Sequence, residues 1–330
     1  MSTFRRILFA VKNPDSRRQR GIDKAIRIAR KLGASIELFH AISTPVFLDL
    51  QPLTQTSLGE LKREALELRR RRLEAHVARA NTRGVEVTCK VEWDYPPHEA
   101  IVRRADHSGA DLIIAECHEG RRLAPWLMHL TDWELLRTSA LPVLLLRNTN
   151  VYSRPRILAA VDPAHAHAKP ARLDTEIVSR GKDLATGLGG SLHAMHACYP
   201  AFVGLTLGDP GIDAVTLAET YEQQKRNDRA DFKAFADDAK IPRGRRHEID
   251  GDPVYAIPKL ARKLRAQVVV MGAVSRSGLK RVFIGNTAER VLSALPCDIF
   301  VVKPPRFESR VNGKSRGMRV VVPAPLMPLP

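Results

Sequence analysis

Short runs of β-branched and other apolar residues alternate along this chain with longer stretches in which apolar positions recur every three or four residues. The first pattern predicts strands buried on both faces, and the second predicts amphipathic helices. Arg6-Ile7-Leu8-Phe9-Ala10-Val11 reads as a first strand. Residues 22–32 read as a helix with Ala25, Ile26, Ile28 and Ala29 on its apolar side and Gly33 as its stop. A second strand is expected over 35–41, then a loop with Pro45 and Pro52, then a long charged helix from about 58 to 80. A third strand over 85–91, a helix opening at Pro96-Pro97, a fourth strand over 110–115, a helix carrying Trp133–Arg137 and a fifth strand over 141–146 complete this half. Strands that alternate with helices imply right-handed βαβ units and a parallel sheet with helices on both faces.

The second half repeats this grammar. Arg156-Ile157-Leu158-Ala159-Ala160-Val161 echoes 6–11, and Leu188-Gly189-Gly190-Ser191 echoes Leu32-Gly33-Ala34-Ser35. His196-Ala197 echoes His40-Ala41, and Pro253, Ala256 and Ile257 echo Pro97, Ala100 and Ile101. Ser293-Ala294-Leu295-Pro296 repeats Ser139-Ala140-Leu141-Pro142 letter for letter. The landmarks keep their order, so the chain reads as a tandem duplication of one doubly wound α/β domain. The expected division is 1–150, 151–304 and a basic, proline-containing tail over 305–330, mostly disordered, in which 318–322 could add a strand.

Composition narrows the function classes. The 330 residues suffice for two cores, and 44% hydrophobic with 27% charged residues fits a globular protein. No apolar run reaches the roughly 20 residues of a membrane span. The first residues lead directly into a strand without a signal-peptide pattern, and Cys89, Cys117, Cys198 and Cys297 are scattered. A reducing, cytoplasmic location without disulfides or structural zinc is expected. The net charge of +17 raises nucleic acid as a partner, but the surplus is spread over both halves and the tail, and aromatics make up only 5%. Nucleic acid is therefore not the expected ligand.

The stretch 268–290 carries the candidate chemistry. A buried apolar strand, Val268-Val269-Val270-Met271, runs into Gly272, Ser275 and Gly278, then Lys280 and Arg281, then Gly285-Asn286-Thr287 at a helix start. Glycines let a backbone approach a ligand, and a helix start offers unpaired N–H groups to an anion. The spacing resembles the nucleotide loop of the universal stress protein family, with Ser275 in place of the second glycine and Asn286 at the final position. Gly251-Asp252-Pro253 and Leu130-Thr131-Asp132-Trp133-Glu134-Leu135-Leu136-Arg137 extend the resemblance to tandem, UspE-like members. The resemblance implies the family fold, two domains packed as a pseudo-dimer, a stress-response role, and ATP or another adenine nucleotide as the ligand.

Carried over by position, Asp162 would meet the nucleoside, Ala197 would lie near the base, and Met271 and Gly272 would flank the phosphates. Ser275, Gly285, Asn286 and Thr287 would complete the cradle. The binding is expected in the second repeat alone. The first has Lys12 where the second has Asp162, and Glu116 and Glu119 near the place of its glycines, where carboxylates repel phosphate. Bland readings stand beside these. Asp162 also suits a turn before Pro163, Thr131 or Asp132 suits a helix cap with Trp133 and Leu136 packed inward, and His40 and His196 suit core positions. No nucleophile or acid–base pair is evident, so a regulator or binding module with at most slow ATP hydrolysis is expected. The alternatives are a nucleotide-dependent α/β hydrolase or adenylylating-type enzyme, or a carrier of a small-molecule or lipid-like ligand. Association of two chains into a homodimer is left open.

Overall fold

A computed structural model of the protein describes residues 3–16, 19–47, 55–81, 84–117, 130–164, 172–199, 214–273 and 286–321. They fall into two units, one comprising 3–151 with 308–321 and the other 152–307.

In the first unit the order is β1 (Arg6–Ala10), α1 (Arg20–Leu32), β2 (Ser35–Ile42), β3 (Val46–Phe47), α2 (Gln55–Asn81), β4 (Val87–Trp93), α3 (Pro97–Ser108), β5 (Leu112–Glu116), α4 (Leu130–Thr138) and β6 (Val143–Leu146). Its sheet runs β4-β2-β1-β5-β6, every pair parallel. The second unit has β7 (Arg156–Ala160), α5 (Leu173–Gly187), β8 (Ser191–Cys198), α6 (Ala214–Asp238), β9 (Arg246–Asp250), α7 (Pro253–Leu264), β10 (Val268–Gly272), α8 (Asn286–Ala294) and β11 (Asp298–Val302). Its sheet runs β9-β8-β7-β10-β11, again all parallel. Both units therefore realise one winding, and in each the strand order reverses beside the first strand.

The apolar runs explain the layers. Ile7, Leu8 and Phe9 in β1, Ile113 and Ile114 in β5, and Val268, Val269 and Val270 in β10 are fully buried, as expected of strands covered on both faces. Each such side chain stabilises the fold by about 1.5–3 kcal/mol. Helix α1 turns Ile22, Ala25, Ile28, Ala29 and Leu32 onto the sheet and ends at Gly33, whose φ of 66° takes the left-handed cap. Pro97 starts α3, and Pro253 starts α7 behind Asp252, whose side chain accepts from Val254 N at 2.8 Å.

Three local expectations shift. The third strand lies at Val87–Trp93, later than 85–91, because the alternation of buried residues continues through Val91 to Trp93. Helix α4 begins at Leu130, so Thr131 and Asp132 lie within it; Leu135 and Leu136 are buried, whereas Trp133 is only half-buried. The segment 308–321, expected to belong to a mostly disordered tail, joins the first unit, and the strand expected within 318–322 is β12 (Val320–Val321), paired in parallel with β3.

Candidate functional site

In an open α/β sheet the crevice for a ligand forms at the carboxyl ends of the strands, where the strand order reverses. In the second unit this is the gap between β7 and β10; Gly272 ends β10, and Asp162 follows the end of β7 by two residues. The sequence therefore brings two of its candidate ligand residues to one crevice.

Asp162 is held from behind. Its backbone N–H donates to Asp174 Oδ1 at 3.1 Å, from the first turn of α5. Its carboxylate Oδ1 lies 3.6 Å from His196 Nδ1, with the Asp162 side chain 48% exposed and the histidine side chain 1% exposed. His196 Nδ1 is also 3.2 Å from Val161 O, and the ring stacks on Phe232. The half-exposed carboxylate thus sits on a buried imidazole that is fixed by the backbone. The first unit repeats the histidine contact, His40 Nδ1 lying 2.8 Å from Val11 O, and burial pushes the His40 pKa down. Ala197 follows His196 in β8 and pairs with Ile249 of β9.

Met271 is buried and pairs with Val301, and Gly272 pairs with Val302. A Cβ at Gly272 would stand 2.6 Å from Leu173 Cδ2 and 2.9 Å from its Cδ1. The glycine therefore makes room for Leu173, the first residue of α5. That is a packing reason for glycine, independent of any phosphate. Asn286 and Thr287 open α8. Ser275 and Gly285 lie outside the described residues, as do Gly278, Lys280, Arg281, His165 and His167.

The first unit fills the matching crevice differently. Exposed Lys12 stands after β1, and Glu116 ends β5 at the register that Gly272 occupies in β10. The Glu116 carboxylate lies against Gly21 in the first turn of α1, where a Cβ would overlap it. The two units thus exchange partners: a large strand residue over a helix glycine in the first, a strand glycine under a helix leucine in the second. A carboxylate at this helix start already supplies the negative charge that the helix end favours.

Two further residues belong to these edges and escape the sequence reading. Asp174 carries no motif, being one of two acids in the first turn of α5. Lys303 follows β11 with its Nζ 4.4 Å above the Phe307 ring, and burial lowers its pKa to about 7. Its signal in the sequence is Arg147, which follows β6 in the same way. Thiol chemistry is disfavoured at both edges. Burial, with Asp132 beside it, raises Cys117 to about 11, and burial raises Cys198. Among the described residues no group of three or more His, Cys, Asp or Glu could hold a metal, and no helix is long and apolar enough to cross a membrane.

Comparison with known proteins follows this duplicated architecture. The profile described as the universal stress protein family matches residues 3–147 and again 154–303. The chain is 25% identical to the universal stress protein E homolog of Haemophilus influenzae, over 91% of this chain and 98% of that one. It is 25% identical to universal stress protein E of Escherichia coli K12, over 94% and 98%. Among solved structures, a functionally unknown protein of Pseudomonas aeruginosa PAO1 aligns with a TM-score of 0.66 at 25% identity, covering 92% of this chain and 93% of that one. A universal stress protein of Archaeoglobus fulgidus shares the fold with a TM-score of 0.59 at 16% identity, over 90% and 96%.

Proposed function

Because the chain belongs to the universal stress protein family, with two copies of its domain in tandem, we propose that it is a stress-response binding module whose second unit takes ATP or another adenine nucleotide. The observation that carries this reading is the contrast between equivalent crevices. The second unit presents Asp162 beside Gly272, and the first presents Lys12 beside Glu116. A half-exposed carboxylate at the end of the first strand suits the vicinal hydroxyls of a ribose, which donate hydrogen bonds to it. Asn286 opens α8 near the end of the same unit's sequence, and a helix start accepts a phosphate. Met271, Gly272, Ser275, Gly285 and Thr287 complete the set, with Ala197 on the base side.

In the first unit the Glu116 carboxylate occupies the helix start and repels a polyphosphate. Like charges a few ångströms apart cost on the order of a kcal/mol even at a wetted surface. The role is binding rather than dedicated catalysis, with hydrolysis of bound ATP at most slow.

Calorimetric titration of ATP into wild type, Asp162→Ala and Glu116→Gly tests the reading. One site per chain is expected in wild type and in Glu116→Gly. A hydrogen bond to a charged group contributes about 1.5–3 kcal/mol, so Asp162→Ala should weaken ATP by roughly ten- to a hundredfold. Two sites per chain, no site, or affinity unchanged in Asp162→Ala would overturn it.

A further inference from the structure

The segment 308–321 is strongly basic, with Arg310, Lys314, Arg316 and Arg319 against Glu308. Composition alone reads it as solvated. It instead follows a built surface on the first unit, formed by the end of β4, the start of α3 and the short strand β3. Val320 and Val321 pair with Val46 and Phe47, and Val46 N donates to Arg319 O at 2.8 Å. Upstream, Arg316 N donates to Asp94 Oδ1 at 2.9 Å, and Arg316 Nη2 reaches Glu99 Oε1 at 2.8 Å. Arg103 Nη1 donates to Asn312 O at 3.2 Å.

The receiving half is anchored by its own contacts. Arg103 Nε donates to Asp94 Oδ2 at 2.8 Å, with both side chains almost wholly buried. Tyr95 N donates to Asp94 Oδ1, and Arg103 also reaches Glu99 Oε2 and Tyr95 O. This cluster offers backbone-reading groups, Asp94 Oδ1 for an N–H and Arg103 Nη1 for a C=O, together with a carboxylate, Glu99, for a cationic side chain. The strand β3 offers a ladder edge. The occupant's hold is shallow by comparison. Among the described residues its ladder is two residues long, 312–316 are exposed, and the Arg316 side chain is 49% exposed.

We propose that this corner of the first unit is a receptor for an extended basic peptide, filled in cis by 312–321 and open to exchange for a strand of the same chemistry. An anchored, acidic, backbone-reading surface with a weakly held occupant has the character of a β-augmentation site, in which main-chain bonds supply grip and one side-chain contact supplies selectivity. The receptor lies in the unit whose crevice lacks the nucleotide-binding features, so the two units would carry different ligands.

The test uses the full-length chain and a fluorescently labelled synthetic peptide of residues 308–321, followed by anisotropy. Arg316→Glu places a carboxylate opposite Glu99 and loosens the occupant without altering the receptor. This variant should bind the labelled peptide at least tenfold more tightly than wild type. Arg316→Ala, a milder change, should fall between the two. Adding Glu99→Gln to Arg316→Glu should weaken peptide binding about threefold by removing the exposed half of the recognition. Equal binding by wild type and both Arg316 variants, no saturable binding to either variant, or indifference to Glu99→Gln would overturn the proposal.

Discussion

The contact between Gly272 and Leu173 gives a prediction that separates packing from ligand binding. Gly272 has no left-handed φ, so alanine there meets no backbone strain, and its whole cost arises from the side-chain overlap. The added Cβ would stand 2.6 to 2.9 Å from three Leu173 carbons, and Leu173 is only 3% exposed, with little room to yield. Overpacking of this kind costs about 1–3 kcal/mol. Leu173→Ala alone should cost about 2–5 kcal/mol through the cavity it leaves. In the double variant the clash disappears with the leucine, so the pair should cost no more than Leu173→Ala by itself. That coupling is measurable by a double-mutant cycle.

Urea unfolding without nucleotide provides the assay, and the sequence supplies a spatial filter. Trp93, Trp126 and Trp133 are the three tryptophans, all within the sequence span of the first domain. Tryptophan fluorescence therefore follows the first unit, while far-UV circular dichroism follows both. Gly272→Ala should move the dichroism transition, which includes the second unit, at least as far as the fluorescence transition. If Gly272→Ala matches wild type within about 0.5 kcal/mol, the scale of an inert surface change, the packing explanation fails. Strict additivity in the double variant would refute it equally.

Two further outcomes follow from buried charges. Asp94→Ala leaves Arg103 with Glu99 as its acidic partner but removes the charged hydrogen bond to its Nε in a nearly dry site, and should cost about 1.5–3 kcal/mol in the fluorescence-detected transition. A smaller loss than that of an ordinary surface substitution would contradict the burial of the pair. Lys303 has a folded pKa near 7, below that of an unfolded lysine near 10.4. Between those values the unfolded chain binds more protons, so this group makes stability rise as pH increases from about 7 to 10. The urea midpoint of the second unit should climb over that range in wild type, and the climb should be reduced in Lys303→Met. Identical pH profiles would contradict it.

Much of the fold was legible because periodicity and repetition are local signals. The fully apolar strands, the glycine stop of α1 and the proline starts of α3 and α7 can all be read within a few residues. The misplacement of β4 has a local cause as well, since the alternation runs on to Trp93 before Asp94 breaks it. The crevice was legible in part. Asp162, Gly272 and Glu116 stood out as differences between copies of one pattern. Their contacts did not, because Leu173 over Gly272 and Glu116 over Gly21 pair residues from elements far apart in sequence. The segment 308–321 was the least readable. Its contacts run through backbone groups to Asp94 and Arg103, more than 200 positions away. Composition is blind to such bonds, and a basic stretch looks the same whether solvated or docked.

That segment also makes the first unit discontinuous along the chain, with the whole of 152–307 interposed between its two parts. During synthesis at about 5–20 residues per second, the ribosome spends roughly ten to thirty seconds on the interposed stretch. Throughout that interval the nascent first unit has its five sheet strands but not β12, and Asp94 lacks the Arg316 amide. The second unit emerges before the first can close. The order of completion is thus the reverse of the order of initiation, and a polymerisation that proceeds strictly from one end finishes the earlier module last.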